Sequence, residues 1–206
     1  MGHQSALIAC GFLLLAGIAH GEPAGGSFAE WLRADAERQG TVQSFELYLK
    51  NAGVGHVLPP DQLLLNATSW QYCKLDWPYS IPPRPLWSHI VKTLKFIRDE
   101  VIPLVGSVSV ESGYREPKLN RCAHGAPRSA HAEFYALDLV PQRTTTQQAS
   151  IASLCKLHRD RGRAYNFGLG FYGGMRFHID TKSYRLWGSD NHAGTSPCLK
   201  AQSARH

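Results

Sequence analysis

The stretch SGYREPKLNRCAHGAPRSAHAEFYALDL, residues 112–139, gathers two histidines, three arginines and three carboxylates. Just before it, Val108 and Val110 alternate with serines, and within its end YALDLVP at 135–141 alternates again. Strict alternation of this kind predicts a strand at each end. The polar residues are therefore expected to connect two strands of a small sheet.

The rest of the chain supplies helices and one further hairpin. Apolar residues at helical spacing predict three helices, namely 28–53 with a break near Gly40, 86–105, and 144–162 with Gly162 as its stop. FGLGFYGGMRFHID at 167–180 predicts a hairpin that turns at Gly173-Gly174. The fold class is therefore predicted to be α+β, with helices packed on a small antiparallel sheet.

Composition and charge are those of a soluble globular protein. Apolar residues make up 43% and charged residues 18% of the 206 residues, enough for one well-formed core. The net charge of +6 is scattered rather than gathered in one run. It favours acidic partners only weakly and gives no indication of nucleic-acid binding. We expect a monomer.

The N-terminus predicts export. Small and apolar residues run from Ala6 to Ala19, and the run ends in Ala19-His20-Gly21, which is typical of a signal peptide over residues 1–21. The run is too short to span a membrane, and no Lys or Arg precedes it. A lipid anchor at Cys10 is the less favoured alternative. We expect a periplasmic or secreted protein with a spacer at 22–27 and no membrane span in its mature form.

Export changes the interpretation of the cysteines. An oxidising compartment makes disulfides their ordinary use. Removal of the leader leaves Cys73, Cys122, Cys155 and Cys198, which allow three pairings that the sequence does not distinguish. No C-x-x-C motif is present, which argues against a thiolate zinc site or a redox motif.

Three residues are candidate metal ligands. His131 lies at the start of the second predicted strand, and Asp138 lies within that strand. His178 lies in the later hairpin. Two imidazoles and one carboxylate form a ligand set used by catalytic zinc, which keeps a fourth position open for water. The chain has ten histidines, so the spacing alone does not establish the site.

The order of residues around this group resembles a known family. The motif residues are Ser112-Gly113-Tyr114-Arg115, Asn120, Gly125-Ala126, Ser129, His131, Ala136, Asp138 and then FHIDT with His178 and Asp180. This pattern, over about residues 107–188, is similar to that of the zinc D-Ala-D-Ala carboxypeptidases, the VanY-like and hedgehog-like metallopeptidases that cut peptidoglycan peptides.

The resemblance implies the roles of several residues. It implies Zn²⁺ held by His131, Asp138 and His178. We expect a single peptidase-like domain over 28–206, with an N-terminal helical extension, 28–84, and a metal-site core, 85–190. Arg115 becomes the candidate that stabilises the oxyanion or holds a substrate carboxylate. Tyr114 and Ser129 become candidate substrate-binding residues, although core packing and loop hydrogen bonding are alternatives for them.

Two positions depart from the family pattern. The glycine usually found three residues after the first histidine is replaced by Phe134, and we expect its ring to reshape the pocket. The acid often found three residues before the last histidine is replaced by Met175. Asp180 is then the nearest carboxylate, and it is a candidate either for the general base or for the partner that orients a ligand imidazole.

The sequence thus predicts an exported zinc metallopeptidase that cleaves peptide stems or crosslinks of bacterial peptidoglycan, as a DD-carboxypeptidase or endopeptidase. The alternative is a non-catalytic, zinc-containing module that binds cell-wall peptides, which the missing acid would permit. A third hypothesis is a disulfide-stapled secreted domain in which the His/Asp pattern is coincidental.

Overall fold

A computed structural model describes residues 25–143 and 145–199. The predicted signal peptide and Cys10 lie outside these residues. The helices are α1 Phe28–Arg33, α2 Ala36–Asn51, α3 Pro60–Leu63, α4 Trp87–Phe96, α5 Ile102–Val105, α6 Pro117–Cys122 and α7 Gln147–Tyr165. The strands are β1 Val108–Ser112, β2 Ala136–Pro141, β3 Gly168–Phe171, β4 Phe177–Asp180 and β5 Arg185–Trp187.

The sheet has five strands in the order β1-β2-β4-β3-β5, which confirms the predicted α+β class. The three pairs formed among the first four strands, β1 with β2, β2 with β4 and β4 with β3, are all antiparallel. The fifth differs from the prediction, because β5 pairs parallel with β3. After β4 the chain reverses direction and crosses to the far edge of β3, so β5 is antiparallel in direction to β4 and parallel to β3.

The helices depart from the prediction at two ends. The break in the first helical segment lies at Ala34 and Asp35 rather than at Gly40, because the Asp35 side chain accepts from the backbone N–H groups that open α2. Helix α7 continues past Gly162 and ends at Asn166 in a left-handed conformation. Gly162 instead makes room for Tyr184, whose ring lies 2.7 Å from where a Cβ atom would be.

The predicted helix over 86–105 forms in three parts. Between α4 and α5 a π-helical turn covers Ile97–Val101, where the Ile102 N–H donates to the Ile97 carbonyl. Pro103 follows in α5 and has no N–H to donate, which favours an irregular turn just before it.

Phe134 lies in the hydrophobic core and not in the cleft, contrary to the prediction for its ring. Its backbone is left-handed, with φ 56°, a conformation that costs roughly 1–2 kcal/mol outside glycine. The ring is fully buried and contacts Phe45 of α2 and Tyr114, with centroids 6.0 Å away in both pairs. Burial of a phenylalanine side chain contributes about 1.5–3 kcal/mol, which offsets the strain.

The predicted disulfides form as Cys73–Cys122 and Cys155–Cys198. The first joins the segment after α3 to the end of α6. The second joins α7 to the described C-terminal segment. No helix among the described residues is long and apolar enough to cross a membrane.

The contact of Phe45 with Phe134 predicts that α2 is an integral part of the core. We expect Phe45→Ala to lower the free energy of unfolding by about 3–5 kcal/mol, because the ring is fully buried. Leu47 in the same helix is 58% exposed, so Leu47→Ala is the control, with a change of at most about 0.5 kcal/mol. Chemical denaturation measures both, and equal losses would contradict the packing described.

Candidate metal centre

The pairing of β2 with β4 brings the three candidate ligands together. Asp138 on β2 lies directly opposite His178 on β4, and His131 comes from the turn that leads into β2. The Oδ1 atom of Asp138 lies 3.1 Å from Nε2 of His131 and 2.9 Å from Nδ1 of His178. All three residues are buried, and one ligand atom from each falls within 4.8 Å of the others.

Hydrogen bonds fix the direction of the His131 ring. Its Nδ1 lies 2.7 Å from the carbonyl oxygen of Gly113, which can only accept, so Nδ1 carries the proton. The Nε2 atom is thereby left with a lone pair that faces Asp138 and His178. The Ser129 hydroxyl accepts from the backbone N–H of His131 and holds the turn in place.

The second imidazole is oriented by a carboxylate. Nε2 of His178 lies 3.0 Å from Oδ2 of Asp180, so the ring donates there and leaves Nδ1 as the lone-pair atom that faces Asp138. This is the usual arrangement of a carboxylate behind a metal-binding histidine. The Asp180 carboxylate also accepts from Arg185 and from the backbone N–H of Lys182.

Two glycines of β3 make this arrangement possible. A Cβ atom on Gly168 would lie 2.1 Å from Oδ2 of Asp180. A Cβ atom on Gly170 would lie 2.1 Å from the indole of Trp187, whose ring packs 4.7 Å from the ring of His178. Both glycines therefore leave space for side chains that flank His178.

Cationic side chains hold the outer oxygen of Asp138. Its Oδ2 accepts from Nη2 of Arg115 at 2.8 Å and from Nη2 of Arg176 at 2.5 Å. Its Oδ1 faces the two histidines and the Tyr172 hydroxyl, 3.2 Å away. The carboxylate is thus oriented with one oxygen towards the arginines and the other towards the imidazoles.

The electrostatics favour ionised Asp138 and neutral His131. Burial, together with the nearby Arg115 guanidinium, lowers the pKa of His131 to about 4. Burial opposes the charge of Asp138, but the two histidines outweigh it and hold the pKa of that carboxyl well below its usual range. These are the protonation states that a divalent cation requires of both ligands. For His178 burial is outweighed by Asp138 and Asp180, which raise the pKa of that imidazole.

The site opens into a cleft of about 900 Å³ with cationic walls. Arg115, Arg128, Arg176 and Arg185 line it, and within the part of the chain that the structure describes no aspartate or glutamate does. His124 also lines the cleft.

The predicted site residues fall into two groups. His131, His178 and Arg115 line the cleft and contact Asp138, which is fully buried behind them, and Ser129 also lines the cleft. Tyr114 does not reach it, since its ring is 6% exposed and packs edge-on against Phe134. The Asp180 carboxylate lies behind His178 and does not line the cleft.

Sequence analysis missed Arg176 and Tyr172. Arg176 precedes His178 by two residues, so the alternation of side chains along an extended segment could have placed both on one face. No comparable signal marks Tyr172, because it lies at the start of the β3–β4 turn, where side-chain direction depends on the turn geometry.

Comparison with known proteins identifies the class. The family described as Peptidase M15 matches residues 75–180, just over half of the 206 residues. The chain therefore belongs to this family of zinc D-Ala-D-Ala carboxypeptidases, as the motif resemblance predicted. No curated protein and no solved structure matches the chain.

The position of Asp180 behind His178 predicts its effect on metal binding. We expect Asp180→Asn to weaken zinc binding by about 10–100-fold, because the imidazole loses the carboxylate that orients it. At saturating zinc we expect kcat to stay within about threefold of the unchanged protein. Competition with a chromogenic chelator measures the affinity.

Asp190→Asn is the matched control, because Asp190 is exposed and its carboxylate contacts Thr195 and the backbone of His192. The control should leave zinc affinity unchanged. If Asp180→Asn instead kept full zinc affinity and lost activity by about 100-fold, Asp180 would be the general base.

Proposed function

We propose that the protein is an exported zinc metallopeptidase that cleaves the peptide stems or crosslinks of bacterial peptidoglycan. The observation that carries the proposal is the buried group of His131, Asp138 and His178, whose two histidines line a cationic cleft, in a chain of the Peptidase M15 family. The two disulfides favour an oxidising compartment, in agreement with a periplasmic or secreted protein. We propose a monomer.

The donor set fits zinc. Two imidazole nitrogens and one carboxylate oxygen are common ligands of catalytic zinc, which when bound supplies a nucleophilic water near neutral pH. His131 and His178 each direct a lone-pair nitrogen to the same point, since the opposite nitrogen of each ring is occupied by Gly113 or Asp180.

Arg115 is proposed to contact the substrate. Its Nε donates to Ser112 and its Nη2 to Asp138, while Nη1 makes no hydrogen bond to any described residue. The side chain is 11% exposed and lines the cleft, so the Nη1 donors are available to a peptide bound there. Such a donor suits either the oxygen of the scissile carbonyl or a terminal carboxylate.

Asp180 is proposed as a positioning residue rather than the general base. Its carboxylate is engaged by His178, Arg185 and the backbone N–H of Lys182, on the side of the imidazole away from Asp138. A general base has to reach the attacking water directly or through one further water. A carboxylate that does not line the cleft is poorly placed for that task.

The charge of the cleft favours anionic substrates. Four arginines line it, and the two acidic residues nearest to them, Asp138 and Asp180, are already paired. Peptidoglycan stems carry free carboxylates, so they complement these walls. The lack of a carboxylate among the described cleft residues also supports the second candidate, a module that binds such peptides without cleaving them.

Replacement of a proposed ligand separates the two candidates. We expect the purified protein to hold one zinc ion and to turn over defined muropeptides, and His131→Ala to lose both. His56→Ala is the control, because this histidine is exposed and does not line the cleft. Zinc analysis and chromatography of the products provide the measurements. Zinc without turnover on any stem would support the binding module, and no zinc at all would exclude both.

Arg115→Lys tests what the arginine holds. We expect kcat/KM to fall by about 100-fold or more, because lysine keeps the charge but not the forked donors. The comparison uses one stem peptide with a free terminal carboxylate and the same peptide as its amide. If Arg115 binds the carboxylate, the variant loses the preference between the two, whereas an equal loss on both with one zinc ion still bound indicates contact with the scissile carbonyl. Arg159→Lys, at an exposed position, is the control.

A further inference from the structure

Tyr172 has a position at the metal centre that the family resemblance does not explain. It follows β3, and its backbone N–H donates to the carbonyl of Arg176, which closes the β3–β4 turn. Its hydroxyl lies 3.2 Å from Oδ1 of Asp138, the oxygen that faces both histidines. The side chain also lines the cleft. The phenol is therefore held at the boundary between the ligand atoms and the space open to substrate.

The contact with Asp138 is one that this carboxylate can lose. Oδ1 faces the lone-pair nitrogens of His131 and His178, so among the described residues the phenol is the group that donates a proton to it, and a bound metal ion would take over that pairing. Oδ2 is separately held by Arg115 and Arg176. Asp138 therefore stays oriented without the phenol, and the hydroxyl is free to donate to a different oxygen.

The ring is held rigidly enough to act as a donor. The guanidinium of Arg176 lies over it, 4.9 Å from the ring centroid. Arg176 is fixed in turn by Asp138 and by Thr68, which also lines the cleft. A donor held in place before the reaction costs little reorganisation when charge develops nearby.

The chemistry of the cleft leaves a role for an uncharged donor. Hydrolysis of an amide places negative charge on the carbonyl oxygen in the transition state. A phenol, with an ordinary pKa near 10, keeps its proton at neutral pH and can donate to that oxygen. Arg115 donates from Nε to Ser112 and from Nη2 to Asp138, so if its remaining N–H groups hold a terminal carboxylate, the carbonyl oxygen needs a different donor.

We propose that Tyr172 is a further catalytic residue, whose hydroxyl donates a hydrogen bond to the oxygen of the scissile carbonyl as that oxygen gains charge. This inference rests on the proposed peptidase function. The phenol makes this hydrogen bond in the transition state and not in the substrate as first bound. Its removal should therefore slow the reaction without weakening the binding of substrate.

Tyr172→Phe is the test, because it deletes the hydroxyl and keeps the ring. We expect kcat to fall by about 100–1000-fold, with KM within about threefold and one zinc ion still bound. Tyr165→Phe is the matched control, because the hydroxyl of Tyr165 donates to Glu100 and the residue does not line the cleft. The control should keep the full rate.

A phosphinate analogue of the tetrahedral intermediate provides a second measurement. The inhibition constant of this analogue should be higher for Tyr172→Phe than for the unchanged protein, by the same factor by which kcat/KM is lower. An unchanged kcat in Tyr172→Phe would overturn the inference. Loss of zinc from this variant would also overturn it, because Tyr172 would then serve to hold Asp138 in place. These results leave the peptidase function standing if the unchanged protein cleaves muropeptides, whereas no turnover by the unchanged protein overturns both.

Discussion

The buried charge of Asp138 is the constraint around which the described structure is arranged. Its side chain is fully buried, and an isolated carboxylate in such a place would cost several kcal/mol. Arg115 and Arg176 compensate one oxygen, and His131 and His178 face the other. Because these four side chains converge on one group, removal of either arginine leaves a buried charge incompletely paired. The same pairing turns Oδ1 towards the imidazoles, where a metal ion would be held.

The surrounding elements maintain this arrangement from both sides of the sheet. The antiparallel register places Asp138 opposite His178, and the glycines of β3 admit Asp180 and Trp187 beside that histidine. On the other side Phe134, in the turn between His131 and Asp138, packs against α2. The residue that replaces the family's glycine thus anchors the N-terminal helices to the ligand-bearing turn, at the expense of a left-handed backbone.

Much of this could be predicted from sequence where a local pattern determines the structure. Alternation placed β1, β2 and the later hairpin, and the motif around His131 identified the family. The rest depends on contacts between distant segments. Parallel β5 follows from a chain reversal that leaves no periodic signal in the sequence. Tyr114 packs inward against Phe134, which in turn contacts Phe45 of α2. The disulfide pairing and the position of Tyr172 likewise need three-dimensional proximity.

We propose that His131, Asp138 and His178 hold a single zinc ion, and X-ray absorption spectroscopy of the zinc-loaded protein is the direct test. We predict one zinc per chain, with two imidazole signatures and only nitrogen or oxygen neighbours at about 2.0–2.2 Å. The His178→Ala variant should lose one imidazole signature or the ion. A sulfur neighbour at about 2.3 Å, or an unchanged spectrum from the variant, would contradict zinc coordination by these three residues.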